Sequence, residues 1–248
     1  MDPAARDRLL ELNRRFYATV AEPFHATRQG WTAGKVKLLD YAPARRPLRV
    51  ADIGCGNARF AVMLDSLAAP VFYTGVDAAP ELLALARSHT AALAHVNVKL
   101  VQADLADSGW IAGLGEPPPR FDMVVCLATL QHLPGYPLRA QVMRSLAELL
   151  ADDGVLAVSA WQFLSSERFA AKQIAWSAAG LSPADVEEGD ALLPWKQGAY
   201  AIRYVHQIDE DEMRRLAADA GLAVRSIYRA DGKEGNLNLY ALLSRPAP

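Results

Sequence analysis

Apolar positions along the chain follow two patterns, short continuous runs and longer segments with helical spacing. Near the start, Leu9, Leu12 and Phe16 recur at helical spacing and predict an amphipathic helix over residues 4–20. From residue 48 onward, short apolar runs and helical segments take turns. The predicted strands are residues 48–53, 71–77, 96–105, 121–130 and 154–161, and the predicted helices between them are residues 58–67, 80–94 and 138–150.

This alternation predicts the fold class. Strands that alternate with helices give an α/β fold, a doubly wound and mostly parallel sheet with helices on both faces. The predicted strands are nearly continuous apolar runs, as expected of strands that are covered on both faces. The first helix, and a second one through Val36 and Leu39, form an N-terminal helical extension ahead of the sheet.

After Trp161 the pattern changes. Residues 162–207 contain short helical segments and a predicted loop at "GDALLPW". A regular helix is predicted again from Asp209, which is spaced from Glu212 as in a capping box. That helix is predicted to end at Gly221. We expect a single domain made of an N-terminal helical lid (1–46), a core (48–161), an insertion suited to substrate recognition (162–207), and a closing helix and strand pair (208–245).

Composition and charge narrow the choice of function. The chain has 248 residues, of which 52% are hydrophobic and 22% charged, as suits one globular domain. A net charge of −2 gives no overall footprint of a nucleic-acid-binding protein, so such contacts would need a local basic patch. Cys55 and Cys126 do not have the spacing of a zinc site or a disulfide framework. The first residues contain no signal-peptide core and no apolar run could cross a bilayer, so we expect a cytoplasmic protein with no membrane partner.

The stretch "VADIGCGNARF" (50–60) is a glycine-rich turn between a predicted strand and a predicted helix, where nucleotide-like ligands bind. In a dinucleotide site Arg59 would be a third glycine, and Asp52 would face two phosphate charges. S-adenosylmethionine carries no phosphate, and its sulfonium and ammonium can be attracted by Asp52. Gly54 and Gly56 would let the backbone approach the nucleoside. The turn therefore favours S-adenosylmethionine over NAD.

Two further carboxylates follow the ends of predicted strands. Asp77 in "TGVD" can accept hydrogen bonds from both ribose hydroxyls, although it would do so in an NAD site as well. Asp104 in "VQADL" can accept a hydrogen bond from the adenine amine. Ligands bind at the carboxyl ends of strands in open α/β sheets, so the three carboxylates indicate one site. Cys55 is interpreted as a small residue in a tight turn, not a nucleophile.

In order and spacing, "VADIGCGNARF", "TGVD", "QADL" and "FDMVVCLATLQHL" resemble the class I S-adenosylmethionine-dependent methyltransferases. The resemblance covers about residues 48–160 and implies a seven-stranded sheet whose last strand is antiparallel, with the cofactor over its C-terminal edge. Ala58 departs from the pattern, since a glycine is common there. The implied cofactor-binding residues are Arg28, Trp31, Asp52, Gly54, Cys55, Gly56, Asn57, Asp77, Ala78, Asp104, Leu105, Leu127 and His132.

A narrower resemblance rests on "PFHATRQGW", "GDALLPW", "RYVHQIDEDEMRRL" and "GNLNLYALL". These segments look like the tRNA wobble-uridine carboxyl methyltransferases, which esterify a carboxymethyl group on uridine. The chain departs from that family at Asn236-Leu237-Asn238, where Asn-Trp is usual, and it lacks the long basic insertion of some members. The implied catalytic residues are Arg203 and His206, and the implied substrate-binding residues are Asp190, Trp195, Tyr204 and Asn238, with no metal.

Methyl transfer to a carboxylate needs few groups. Such an acceptor, with a pKa near ~4, is ionised at neutral pH, so no general base is required. Alignment of acceptor, methyl and sulfur can supply ~7–11 kcal/mol. Arg28 or Arg203 can hold the acceptor carboxylate or the methionine carboxylate in a bidentate pair. An amine or hydroxyl acceptor would need a base, for which His206 and His132 are the candidates.

Three functions stay open from the sequence. They are a tRNA-modifying carboxyl methyltransferase, a small-molecule methyltransferase, and a non-catalytic module that binds the cofactor as a signal. The acceptor is accordingly a small anion or tRNA, and a small activating partner or a homodimer is left open. Structural interpretations also exist, with His132 as a turn cap, Trp31 and Trp195 as core anchors, and Arg14-Arg15 as a solvated face.

Overall fold

Strands and helices alternate from Leu48 to Trp161, as the apolar pattern predicts. The structure, a computed structural model, describes residues 1–27 and 30–246, so the predicted cofactor ligand Arg28 lies outside the described residues. The helices are α1 (Pro3–Ala26), α2 (Ala33–Val36), α3 (Arg59–Asp65), α4 (Pro80–Thr90), α5 (Tyr136–Glu148), α6 (Glu167–Ala170) and α7 (Glu210–Asp219). The strands are β1 (Leu48–Ile53), β2 (Val71–Asp77), β3 (Val96–Gln102), β4 (Phe121–Leu127), β5 (Leu150–Trp161), β6 (Asp190–Trp195), β7 (Ala201–His206), β8 (Ala223–Ala230) and β9 (Asn238–Ser244).

The main sheet has the predicted doubly wound topology. Within the described residues, seven strands form it in the order β3-β2-β1-β4-β5-β9-β8. β9 is antiparallel to both of its neighbours, and the other neighbouring strands are parallel. The α/β class, the strand number and the antiparallel last strand are therefore confirmed. The strand order reverses beside β1, which opens a crevice at the carboxyl ends of β1 and β4.

Helices cover both faces of this sheet. One core cluster joins α5 and α7, through Leu146 and Leu216, to Ile53 of β1. The other joins α3, through Phe60, to Val50 of the same strand. Because successive strand residues point to opposite faces and both faces are covered, the central strand β4 is buried at nearly every position, whereas most positions of the edge strand β3 are exposed or half-buried.

The N-terminal helix is longer than predicted. α1 begins after Asp2, whose carboxylate accepts a hydrogen bond from the Ala4 amide at 3.2 Å, and it continues through Pro23 to Ala26. The polar turn after Val20 carries no apolar period, so its helical state was not visible in the pattern. α1 has 24 residues, but no helix in the described part of the chain is both long and apolar enough to cross a membrane.

The insertion contains a β-hairpin where a loop was predicted. Residues 190–195 form β6, which pairs antiparallel with β7 in a sheet of its own. We call these two strands the cap hairpin. The prediction of a loop at "GDALLPW" was wrong because both faces of β6 are covered, Leu193 packing near Phe163 and Leu192 near Leu9. In a two-stranded sheet each strand is an edge strand. Pro194 is tolerated there because the backbone N–H that it lacks costs at most one hydrogen bond of the sheet.

The predicted capping box at the start of α7 is half formed. The Asp209 carboxylate accepts a hydrogen bond from the Glu212 amide at 2.8 Å, as a capping residue does. The Glu212 side chain binds Arg139 and His206 instead of returning to the cap. Glu212 therefore ties α7 to α5 and to the cap hairpin.

Candidate functional site

A cavity of about 1100 Å³ lies over the carboxyl ends of the parallel strands. Its floor is formed by residues that follow β1, β2, β3 and β4, and its roof by α1 and the cap hairpin. Sites for a single small ligand commonly have volumes of roughly 300–1,000 Å³. The cavity therefore has room for two bound molecules side by side.

The glycine-rich turn forms one wall of this cavity. Gly54 has a φ of +75°, and a Cβ placed on it would collide with the Thr129 side chain. Gly56 has a φ of +55°, and a Cβ placed there would meet no atom within 4 Å, so its backbone faces open space. Ala58 also has a positive φ, 55°, while fully buried. A left-handed backbone here is the physical reason why glycine is common at this position in the resembling family.

Asp52 lies at the base of the turn and is 3% exposed. Its carboxylate accepts a hydrogen bond from the Tyr73 hydroxyl at 2.6 Å. Burial raises the pKa of Asp52 to about 7, against the opposing hydrogen bond from Tyr73. A cation that enters the cavity beside Asp52 would favour the ionised form. Tyr73, which the sequence analysis did not single out, holds this carboxylate in place.

Asp77 is fixed by the turn that it follows. One carboxylate oxygen accepts from the Gly56 amide at 2.8 Å, and the other accepts from the Ala79 amide at 2.9 Å. Burial raises the pKa of Asp77, and the backbone hydrogen bonds oppose that rise. Each carboxylate oxygen still has a free lone pair for a ligand hydroxyl. The neighbouring Ala78 also lines the cavity.

Asp104 is bound by α1. Both the Nε and an Nη atom of Arg14 donate to the same Asp104 oxygen, at 2.9 and 2.8 Å. The other oxygen accepts from the Ala106 amide at 2.9 Å. Arg14 and Arg15 are both exposed, as expected of a solvated face, although Arg14 also lines the cavity and Arg15 pairs with Glu11 on the helix surface.

His132 lies in the cavity wall, in the turn after β4. Its Nε2 atom is 2.9 Å from the Tyr17 hydroxyl, and its Nδ1 atom is 3.2 Å from the Tyr204 carbonyl oxygen. The structural and functional interpretations of His132 are therefore compatible, because the ring both joins α1 to the cap hairpin and lines the cavity. The predicted residues Cys55, Asn57, Leu105 and Leu127 line it as well.

Charges divide the cavity into two halves. Among the described residues, the lining carboxylates all belong to the ends of β1, β2 and β3 or the start of α4, namely Asp52, Asp77, Glu81, Asp104 and Asp107. On the side of β5 and β9, the described lining contains two cations, Arg203 and Lys35 of α2, a helix that packs against Tyr240. The other residues there are uncharged and include Ser159, Trp161, Trp195, Gln197, Asn238 and Tyr240. One half therefore suits a cation and the other suits an anion.

Arg203 is a buried cation in the wall of the second half. Its side chain is 9% exposed, and its guanidinium carbon lies 4.8 Å from the centre of the Trp161 ring and 5.4 Å from that of Phe16. Its Nε atom has no hydrogen-bond partner, and no carboxylate of the described residues is within ion-pair distance. Burial lowers the pKa of Arg203. This guanidinium can bind an anionic ligand.

The structure places His206, Asp190 and Tyr204 outside the cavity. Asp190 accepts from the Tyr204 hydroxyl at 2.6 Å and lies 2.7 Å from Nδ1 of His206, whose Nε2 is 2.8 Å from Glu212. Burial would lower the pKa of His206, but its bonds to Asp190 and Glu212 outweigh burial and raise it. Both ring nitrogens are occupied, so the geometry does not support His206 as a base or the other two as substrate ligands.

Strand alternation explains this arrangement. Arg203 faces the cavity from β7, so Tyr204 must point to the other face and His206 with it. Asp190 of β6 lies opposite His206 in the register and shares that face. Of the other predicted residues, Trp195 and Asn238 line the cavity. Trp31 is 41% exposed and does not line it, but its ring lies 5.2 Å from the guanidinium of Arg59, which does.

Several lining residues were not found from the sequence. α1 presents a second stripe at helical spacing, made of Leu10, Asn13, Arg14, Tyr17 and Ala18. This stripe is a usable signal, because it repeats every three or four residues beside the apolar one. Trp161 and Phe169 gave no local signal, since their position depends on the cap hairpin.

Residues 51–156 match the family model of a methyltransferase domain. This stretch runs from β1 into β5 and includes the glycine-rich turn, Asp77 and Asp104, so the core predicted from the sequence is similar to a methyltransferase domain. A ubiquinone biosynthesis O-methyltransferase of Xanthomonas campestris is 36% identical over 124 residues, which are 49% of this chain and 47% of that protein. The chain thus spans about half the length of the curated relatives it matches.

Solved structures share the fold of this chain over nearly its whole length. The CcbJ methyltransferase of Streptomyces caelestis has a TM-score of 0.65 at 18% identity, covering 94% of this chain and 98% of that one. Magnesium protoporphyrin IX methyltransferase of Synechocystis, with bound S-adenosylmethionine, has a TM-score of 0.62 at 17% identity, covering 99% and 100%. At these identities the likeness concerns the fold.

The acidic half of the cavity fits S-adenosylmethionine, the cofactor that the sequence predicts. The cofactor carries positive charge on its sulfonium and ammonium, and Asp52 is a buried carboxylate beside open backbone. Asp77 keeps free acceptor positions toward the cavity. A dinucleotide fits less well, since its phosphates would meet a cluster of carboxylates.

Proposed function

We propose that this protein is a methyltransferase that transfers the methyl group of S-adenosylmethionine to a carboxylate oxygen of a small molecule. The observation that carries the proposal is Arg203, a buried guanidinium in the cavity wall without a carboxylate partner among the described residues. An uncompensated buried charge is costly, and a ligand anion would compensate it. The product would be a methyl ester.

The cofactor would lie over β1, β2 and β3. Asp77 would accept from the ribose hydroxyls, Asp104 would face the adenine, and Asp52 would face the positive end of the methionine moiety. The backbone from Gly54 to Gly56 would lie against the nucleoside and methionine. S-adenosylmethionine bound there would supply a methyl group on a sulfonium. The sulfur leaves as a neutral thioether, so it needs no further activation.

Arg203 would hold the acceptor on the other side. It lies against Trp161 at the end of β5, two strands from β1 in the sheet order. At a strand spacing of ~4.8 Å, this is about 10 Å from the glycine-rich turn. The bound cofactor would supply the methyl group, and a carboxylate oxygen held by Arg203 would accept it while the electron pair of the broken carbon–sulfur bond stays on sulfur. A carboxylate is already ionised, so this transfer would need no general base.

The charges around the cavity favour a small acceptor. In the described lining, five carboxylates face four lysine or arginine side chains, of which Arg14 is paired with Asp104 and Arg203 is buried. Nucleic-acid binding depends on several basic side chains that neutralise phosphates. The lining as a whole offers no such surface.

A tRNA acceptor is the second candidate, and one local observation favours it. Arg168 and Lys172, both exposed, lie 4.3 and 5.6 Å from the centre of the Phe169 ring at the edge of the cavity. Two neighbouring cations of this kind can contact phosphates. The narrower sequence resemblance points to the same acceptor.

Methyl transfer from labelled S-adenosylmethionine tests the proposal. The protein is incubated separately with a set of small carboxylic acids, a set of phenols, and bulk tRNA. We expect label in base-labile esters of the small acids, with little change between low and moderate salt. Base-labile label on tRNA that falls steeply with salt would establish the second candidate. Label only in base-stable ethers would contradict a carboxylate acceptor. The acceptor would then be a hydroxyl group, and Tyr17 and His132 would be the candidates for the base that it needs.

Asp77→Ala is expected to weaken S-adenosylmethionine binding at least tenfold. The variant loses two hydrogen bonds to a charged group, each worth ~1.5–3 kcal/mol. Calorimetry measures the dissociation constant, with Asp107→Ala as the control, since Asp107 lines the cavity but is exposed. An unchanged dissociation constant in folded Asp77→Ala would show that Asp77 only supports the turn.

The cytoplasmic location, a homodimer and a small activating partner stay predictions from the sequence. Sedimentation of the purified chain, alone and with cofactor, distinguishes a monomer from a homodimer.

A further inference from the structure

We infer that the acceptor is an aryl carboxylate, a small acid whose carboxylate is carried by a planar aromatic ring. The inference rests on the proposed function and names the class of acceptor for the same site. It comes from the surroundings of Arg203, not from the guanidinium alone.

Arg203 stands in the middle of a row of rings. Phe169 lies 4.6 Å from Trp161 between ring centres, and Trp161 lies 4.8 Å from the Arg203 guanidinium. On the other side, Phe16 is 5.4 Å from the guanidinium and 6.2 Å from Trp195. We call these five side chains the aromatic row.

The aromatic row leaves the donors of Arg203 to a ligand. Aromatic rings attract a guanidinium through their faces but do not replace hydrogen-bond acceptors such as a carboxylate. The Nε atom of Arg203 has no acceptor in the described structure. The indole nitrogen of Trp195 donates to the Gln197 carbonyl at 2.8 Å, so that ring needs nothing from a ligand.

The same row provides the surface for the rest of the acceptor. Trp161, Phe169 and Trp195 line the cavity on both sides of the guanidinium, each within one or two ring widths of it. Ring-to-ring contacts contribute roughly two- to tenfold in affinity each, beyond the area they bury. The cavity here carries no carboxylate among the described residues, and it lies beside the cofactor half. A flat ring bearing one carboxylate matches this wall.

Paired acids of equal size test the inference. We expect kcat/KM for benzoate to exceed that for cyclohexanecarboxylate at least fivefold, with 2-naphthoate higher still. Phe169→Leu and Trp195→Leu should bring the benzoate-to-cyclohexanecarboxylate ratio toward one. Phe72→Leu, at an exposed position on β2, is the matched control and should leave the ratio unchanged. A purely structural effect would lower turnover of both acids equally.

The outcomes separate the inference from the proposed function. Methyl esters of cyclohexanecarboxylate or hexanoate formed as fast as those of benzoate would overturn the aryl acceptor and leave carboxyl methylation standing. No ester on any carboxylate would overturn both. If Trp195→Leu does not fold, Phe169→Leu decides alone, because Phe169 is only partly buried.

Discussion

Arg139→Met is expected to lower the free energy of unfolding by about 3–5 kcal/mol, because it leaves two partly buried carboxylates without their buried cation. Arg139 is 1% exposed and donates to Glu212 at 2.7 Å, to Glu187 at 2.8 Å and to the Leu133 carbonyl at 3.1 Å. Burial raises the pKa of both glutamates, but their bonds with Arg139, and that of Glu212 with His206, outweigh burial and hold both pKa values below the usual range. Denaturant unfolding measures the loss, with a fall in Tm of roughly 6–20 °C.

Arg144→Met is the control for this experiment. Arg144 lies on the same helix but is exposed, so its replacement should change stability by less than about 0.5 kcal/mol. Adding Glu187→Gln and Glu212→Gln to Arg139→Met should recover part of the loss, since the uncompensated charges are then removed. Equal stability of Arg139→Met and Arg144→Met would show that the network contributes no net stability.

Arg203→Met is expected to reduce kcat/KM at least about 30-fold, while the cofactor dissociation constant stays unchanged. Truncating one partner of a buried charge pair costs about 2–5 kcal/mol, and here the partner is the acceptor. The free protein should not lose stability, since Arg203 has no carboxylate partner in the described structure. Arg139 and Arg203, both buried, are thus expected to have opposite roles.

Arg203→Lys separates charge from geometry. Lysine keeps the charge but cannot form the bidentate pair, so it should restore only part of the activity. Steady-state kinetics on an acid that the wild type esterifies, with calorimetry of cofactor binding, provide both readouts. If Arg203→Met instead binds the cofactor more weakly and keeps the KM for the acceptor, Arg203 contacts the methionine carboxylate of the cofactor.

The fold was predictable where local pattern and tertiary burial agree. β1 and β2 have the predicted bounds, because both are apolar runs between turn residues. β6 was missed because "DALLPW" is covered on its two faces by elements distant in sequence, α1 and residues 161–169. The last turn of α1, before Ala26, was not predicted as helical because it has no apolar stripe, although it is part of the helix.

The candidate site divides in the same way. Its cofactor half follows from one local turn and the carboxylates at successive strand ends, and the structure brings Asp52, Asp77 and Asp104 together. The acceptor half depends on which face of β7 meets the cavity. "RYVH" contains two functional candidates, Arg203 and His206, and their odd separation already sends them to opposite faces. Only the packing of the cap hairpin decides that Arg203 is the one inside.

The two-faced cap hairpin offers a route for redesign. Positions 195 and 203 reach the cavity, whereas 190, 204 and 206 belong to the buried polar network on the other face. A mutant library confined to the first set samples new acceptors while the anchoring network stays intact. A single-residue insertion in β7 would do the reverse, sending the histidine inward and the arginine outward in one step.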